Sequence, residues 1–245
     1  MIDKALVKTR FTKSLETYDE NALIQKNMAS KLVSFLEKKE FYSILEVGCA
    51  TGVLTREIVQ NINFECFSAN DIVEKSCDYI ATIIDDFEFI SGDIETVSFS
   101  QTYDLIISNA CLQWCNDLPQ TIDKLYGLLN DDGMLAFSVF GEENLVEIND
   151  LFRIKNKFYP IPELKTYLKK YNFLEYREEK SRLYFDNAID VLKHLKYTGV
   201  NALSPFNLTK TKIKEFEESY KRKYADNQKV YLTYNPVFIV IKKSK

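Results

Sequence analysis

The chain has 245 residues, 46% apolar and 28% charged, with a net charge of −4 at pH 7. That length and balance suit one folded α/β domain with insertions, and exclude collagen-like, disordered and disulfide-stapled chains. Seven glycines and five prolines leave little for long linkers, and no apolar run approaches the ~18–20 residues needed to span a bilayer. The five cysteines, at 49, 66, 77, 111 and 115, are odd in number and not tightly paired, as expected in a reducing compartment. Met1-Ile2-Asp3-Lys4 has no apolar signal core behind it, so a cytoplasmic protein is expected. Cys111 and Cys115 are four apart, but no second Cys or His pair joins them and the single histidine is His194; no metal site is expected.

Residues 1–20 read as a short helix ending near Tyr18-Asp19. A longer amphipathic helix follows over about 21–38, with Ala22, Leu23, Met28, Leu32, Phe35 and Leu36 broadly on one side. Strands are expected at 42–47, 64–69, 88–91, 103–108 and 134–140, and helices between them at 53–59, 74–84 and 118–129, the last closed by an Asp132-Gly133 turn. Such alternation implies a parallel sheet with helices on both faces. After Gly141 the pattern loosens to a helix over 162–171, a long strand over 173–185, helices over 187–195 and 210–224, and a final strand over 230–242. A helical cap, about 187–225, is thus expected between the last two strands. One domain is read over 1–245: N-terminal helices over 1–40, one half over 41–141 ending in the five strands, and a second half over 142–245 carrying the cap.

The polar residues gather at strand ends, where ligands bind in such sheets. Glu46-Val47-Gly48-Cys49-Ala50-Thr51-Gly52 follows a strand and opens a helix, so small residues and unpaired N–H groups face a ligand. A dinucleotide fingerprint would need a small residue at position 53, which is Val53, and Glu46 suits a ligand with a positive end better than a pyrophosphate. Asp71 ends the second strand, placed to accept from both ribose hydroxyls. Asp93 ends the third, placed to accept from an adenine amino group that Ile72 and Ile94 would sandwich. Asn109 follows the fourth.

Glu46-x-Gly48-x-Ala50-x-Gly52 with Asp71, Gly92-Asp93 and Asp104 resembles the class I S-adenosylmethionine-dependent methyltransferases, although Ala50 stands where that family has Gly. The likeness implies a seven-stranded Rossmann-like sheet and S-adenosyl-L-methionine bound by Glu46, Gly48, Ala50, Gly52, Asp71, Ile72, Asp93, Ile94 and Asn109. Arg10-Phe11-Thr12-Lys13-Ser14 with Tyr18-Asp19 and Gln25, then Ser108-Asn109-Ala110-Cys111-Leu112-Gln113-Trp114, is similar to the malonyl-[acyl-carrier-protein] O-methyltransferases of biotin synthesis. So are the stretch Leu135 to Leu145, the segment Leu192 to Asn201 and the ending Tyr231-Leu232-Thr233-Tyr234-Asn235. This narrower resemblance implies a malonyl thioester on acyl carrier protein, or malonyl-CoA, as substrate. Its carboxylate is already ionised at neutral pH, so no general base is required. Tyr18, Gln113 and Trp114 are the candidates for lining the reaction pocket. Arg10 and Lys196 are the candidate cations for the carboxylate.

Three other readings stand beside it: a small-acid carboxyl methyltransferase similar to trans-aconitate methyltransferase, an RNA or protein methyltransferase using the basic C-terminal third, and a non-catalytic partner-binding domain. No nucleic-acid-binding motif supports the second, and Glu46, Gly52, Asp71 and Asp93 argue against the last. The charge is uneven: from Lys193 onward, twelve Lys/Arg face four Asp/Glu, a local +8 that leaves −12 for the rest. Lys193, Lys196, Lys210, Lys212, Lys214, Arg222 and Lys223 are the candidate docking charges for an acidic partner.

Overall fold

The computed structural model describes residues 2–153, 159–199 and 209–244. Helices α1 (Lys4–Asn21) and α2 (Leu23–Ser34) come first. Asp3 caps α1 by accepting from Leu6 N at 3.0 Å, and the helix read as short from sequence runs 18 residues. Strands β1 (Glu40–Val47), β2 (Asn63–Asp71), β3 (Glu88–Ser91), β4 (Tyr103–Asn109) and β5 (Leu129–Phe140) alternate with α3 (Val53–Asn61), α4 (Ser76–Ile80) and α5 (Leu118–Gly127). Then come α6 (Val146–Phe152), α7 (Ile161–Leu168), β6 (Asn172–Glu178), β7 (Ser181–Phe185), α8 (Ala188–Tyr197), α9 (Lys210–Tyr224), β8 (Ala225–Asp226), β9 (Lys229–Tyr234) and β10 (Pro236–Lys242). No helix among the described residues is long and apolar enough to cross a membrane.

The main sheet has seven strands in the order β3-β2-β1-β4-β5-β10-β6, as the resemblance implied. β1 pairs parallel with both β2 and β4, while β10 runs antiparallel to β5 and β6. The chain order therefore reverses between β1 and β4, which opens a crevice at their carboxyl ends. The central strands are buried on both faces. In β1, Ile44 belongs to the core holding Leu32 of α2 and Ile58 of α3, while Leu45 and Val47 belong to the core holding Ile122 and Leu125 of α5 and Leu164 of α7.

Four elements differ from the sequence reading. The helix expected over 74–84 is regular only over Ser76–Ile80, because the β-branched run Thr82-Ile83-Ile84 leaves it in tight turns such as Thr82 N to Tyr79 O at 3.1 Å. The Asp132-Gly133 turn lies inside β5, where Asp132 takes φ +61. The two long strands each divide. Residues 173–185 break between β6 and β7, and 230–242 break at Asn235-Pro236. Pro236 has no N–H to carry a ladder onward. The Asn235 side chain holds both breaks together: its Nδ2 donates to Glu179 O at 2.8 Å and its Oδ1 accepts from Glu143 N at 3.2 Å. The outer pieces leave the main sheet and form a second, three-stranded antiparallel sheet, β7-β9-β8. The insertion before the last strand therefore consists of α8 and α9 backed by this small sheet, rather than helices alone.

His194 of α8 is buried, with Nε2 2.7 Å from the Tyr234 hydroxyl and its ring against Phe185. Burial holds its pKa down at about 4, so the ring is neutral and structural. The motif residues Val200 and Asn201, and the cap's link over 200–208, lie outside the described residues.

Candidate active site

A cavity opens at the carboxyl ends of β1, β2, β3 and β4. Gly48 and Ala50 form its floor, Asn70, Asp71, Ile72 and Val73 one side, Gly92, Asp93 and Ile94 another, and Asn109, Ala110, Cys111, Trp114 and Cys115 a third. Helix α1 closes it with Lys4, Val7, Phe11, Leu15 and Tyr18.

The floor is built by the backbone. Gly48 has φ +76 and Gly52 φ +80, and a Cβ on Gly48 would collide with the Cys111 side chain, so glycine admits the close approach. Ala50 also takes a positive φ, +46, where an L side chain costs on the order of 1 kcal/mol. The glycine usual in the family would avoid that strain. Asp71 stabilises the turn: its Oδ2 accepts from Ala50 N at 2.9 Å and its Oδ1 from Val73 N at 2.7 Å. Burial pushes its carboxyl up to about 6, against the pull of those backbone N–H groups.

Glu46 and Gly52 stand behind this wall rather than on it. Glu46 is fully buried; its Oε2 accepts from Thr55 Oγ1 at 2.6 Å and its Oε1 has no partner among the described residues. Burial pushes it up to about 8, with the Thr55 bond opposing. Gly52 starts α3, and a Cβ there would meet Ile83.

Of the remaining candidates, Asp71, Ile72, Asp93, Ile94 and Asn109 lie together around the cavity, with Tyr18 and Trp114. Asn109 Oδ1 accepts from Ser138 Oγ at 2.6 Å and its Nδ2 donates to Gln25 O at 2.9 Å, pinning α2 to the end of β4. A smaller inner chamber shares Phe11, Tyr18, Ala110 and Trp114 with this cavity and is also lined by Gln25, Gln113, Phe140 and Thr198. Trp114 and Phe11 meet edge to face at 5.5 Å between centroids. Burial raises the Tyr18 hydroxyl well above the usual phenol range. Arg10 is half-buried on α1 and Lys196 exposed on α8; neither lines the cavity or the chamber.

Sequence reasoning gave no place in the site to Lys4 and Cys115, and quoted Phe11, Gln25 and Cys111 only as parts of the signature motifs. Lys4 Nζ lies 3.2 Å from Asp93 Oδ1 and 2.5 Å from Glu95 Oε2, which ties the start of α1 to the cavity rim. At the helix's other end, Asp19 Oδ1 accepts from Thr51 Oγ1 at 2.5 Å, so the Tyr18-Asp19 pair of the signature seats α1 on the glycine turn.

The sheet order and strand-end cavity define the Rossmann-like methyltransferase class, and a family model described as a methyltransferase domain matches residues 19–175. Among solved structures, the YcgJ protein of Bacillus subtilis superposes with a TM-score of 0.61 at 12% identity, over 89% of this chain and 99% of that one. The N-methyltransferase NodS of Bradyrhizobium japonicum WM9, in complex with S-adenosyl-L-homocysteine, gives a TM-score of 0.52 at 12% identity, over 89% and 86%. These two likenesses concern the fold. Closer in sequence, a malonyl-[acyl-carrier protein] O-methyltransferase of Calditerrivibrio nitroreducens is 36% identical over 242 residues, 97% of this chain and 96% of its own. One of Haemophilus influenzae is 32% identical over 249 residues, 99% and 96%. The chain belongs to the malonyl-[acyl-carrier protein] O-methyltransferase family.

Proposed function

We propose that the chain methylates the free carboxylate of a malonyl thioester carried on acyl carrier protein, giving the methyl ester that primes biotin synthesis. The observation that carries this reading is the nearly full-length match to relatives named for that reaction.

The larger cavity suits the methyl donor: Asp71 would hold the ribose, Asp93 the adenine amino group between Ile72 and Ile94, and the Gly48–Gly52 turn the methionine end. The glycine floor, which a Cβ would fill, and the buried Asp71 carboxylate fit such a ligand. When bound, S-adenosylmethionine supplies a methyl group on a cationic sulfur, which a carboxylate attacks directly with the bonding pair returning to sulfur and no proton moving. What the protein must add is alignment and exclusion of water. Tyr18, Gln113 and Trp114 would do this at the inner chamber, which α1 helps to wall.

A small tricarboxylate such as trans-aconitate fits less well. Its extra charges call for cations, and the one cationic side chain among the described lining residues, Lys4, is engaged by Asp93 and Glu95. For the carrier protein, the cap offers charge. Lys196, Lys210, Lys212, Lys221 and Arg222 are exposed and have no ion pair among the described residues, whereas Lys193, Lys214 and Lys223 pair with Asp190, Glu218 and Asp150. Strongly acidic carrier proteins would be steered to this face.

The test is a methyl-transfer assay comparing malonyl-carrier protein, malonyl-CoA and trans-aconitate. Malonyl thioesters should turn over, with the chemical step nearly flat above about pH 6 because the nucleophile is already ionised. Reversing Lys196, Lys210 and Lys212 together should slow the carrier-protein reaction and spare malonyl-CoA. Turnover of trans-aconitate alone would overturn the reading, and a wild-type rate for the reversed variant at low salt would move the docking face elsewhere.

A further inference from the structure

The inner chamber holds two polar side chains whose bonding is incomplete. Gln25, in the first turn of α2, is 3% exposed, yet its Oε1 is buried without a partner and its carboxamide makes no hydrogen bond among the described residues. Its α2 neighbours on the buried face are Ile24, Met28 and Ala29, so an apolar side chain would suit the position by packing alone. A buried amide left unpaired costs roughly 1–3 kcal/mol. Gln113 is the second case. Its Nε2 donates to Ala110 O at 2.6 Å, which fixes the amide, and its Oε1 is buried without a partner among the described residues.

Among the described residues the chamber has no charged lining side chain, and the hydroxyl of Thr198 already donates to His194 O at 2.9 Å. The free hydrogen-bonding capacity therefore comes from neutral groups, with Gln25 the one carboxamide not yet committed.

Resting on the function proposed above, we propose that Gln25 is the specificity-determining residue for the acyl acceptor: its N–H groups hold the non-reacting oxygen of the substrate carboxylate inside an uncharged chamber. A carboxamide can turn its nitrogen toward an anion by rotating about its last torsion, and it presents two donors when it does so. Gln113 Oε1 supplies the acceptor for the second N–H. The backbone carbonyl of Gln25 is pinned by Asn109, so the side chain starts from a fixed point beside the methyl donor's site.

The neutral character matters chemically. An arginine or lysine clamp would stabilise the carboxylate most before reaction, when its charge is full, and so would raise the barrier as that charge is lost. Neutral donors orient the oxygen at lower ground-state cost. In a low-dielectric chamber the anion's strongest attraction is then toward the cationic sulfur it must approach. This differs from the Arg10 and Lys196 expectation, neither of which reaches the chamber.

The experiment measures binding of malonyl-CoA and acetyl-CoA, which differ by the carboxylate, to protein saturated with S-adenosylhomocysteine, alongside the kinetics of malonyl-CoA methylation. Wild type should prefer malonyl-CoA at least tenfold. Gln25→Met keeps length and apolar fit. It should lose most of that preference and raise KM at least tenfold, while acetyl-CoA and S-adenosylhomocysteine bind within twofold of wild type and the melting temperature holds or rises. Gln25→Glu, which sets a carboxylate against the substrate's, should abolish the preference; it serves as the second variant if Gln25→Met fails to fold. If both variants that fold keep the wild-type preference, the amide is a packing residue satisfied by water and the proposal is wrong while the proposed function stands. If wild type itself shows no preference and no malonyl turnover, the function falls and takes this inference with it.

Discussion

Glu46 gives the sharpest test of the site's electrostatics. It is wholly buried, Thr55 is its one hydrogen-bond partner among the described residues, and its pKa is pushed from 4.5 up to about 8. The folded chain thus keeps a proton that the unfolded chain gives up above pH 4.5. Stability from this group is full below that pH and drains as pH rises toward 8. The loss runs at about 1.4 kcal/mol per pH unit, on the order of 3 kcal/mol by pH 7 and 5 at completion. Glu46→Gln is nearly isosteric with the protonated acid and cannot ionise. Urea unfolding of both proteins between pH 6.5 and 8 isolates the effect, because Asp71 titrates near 6 and His194 near 4. The stability of wild type relative to the variant should fall by about 2 kcal/mol across that window, the Glu46 share of the same slope. A constant difference would falsify the burial argument, since it would mean that Glu46 is charged in the fold.

His194 has the opposite sign. With its folded pKa near 4 and an ordinary value of 6.5, stability is full above pH 6.5 and is lost as pH falls toward 4, and His194→Gln should remove that acid limb from an unfolding series. Gly48→Ala should lower the melting temperature by several degrees through its φ of +76 and its collision with Cys111; Cys111→Gly in the same chain should recover part of the loss, and strict additivity would rule the collision out. Asp71→Ala should weaken S-adenosylhomocysteine binding by roughly 1.5–3 kcal/mol in calorimetry, and a change under about 0.5 kcal/mol would remove Asp71 from the ligand site.

Local features were legible in the sequence where the chemistry is local. The strand, glycine turn and helix around Gly48–Gly52, and the acids ending β2 and β3, follow from residues adjacent in the chain. The inner chamber does not. Gln25 belongs to the quoted N-terminal signature, which gives it no role, and only the docking of α2 against β4 shows that its amide lines a chamber with no partner for it among the described residues. Lys4 reads as a surface lysine until α1 is laid across Asp93 and Glu95. The divided strands had a signal in Pro236, but the apolar alternation on either side of it masked the break. Glu46 illustrates a different limit: periodicity places it at the strand end, while only the packed turn shows that it sits behind the cavity wall.

Helix α1 is a wall shared by two compartments. Lys4, Val7 and Leu15 face the donor cavity, Phe11 and Tyr18 face both spaces, and Thr17 Oγ1 donates to Tyr197 O of the cap at 3.1 Å, beside Gly199 packed on Phe11 and Ser14. Whatever seats this helix for one ligand has already met the ordering cost for the other. The two substrates should therefore bind with positive cooperativity, and thermodynamic linkage requires that the factor by which the donor tightens the acceptor equal the factor by which the acceptor tightens the donor.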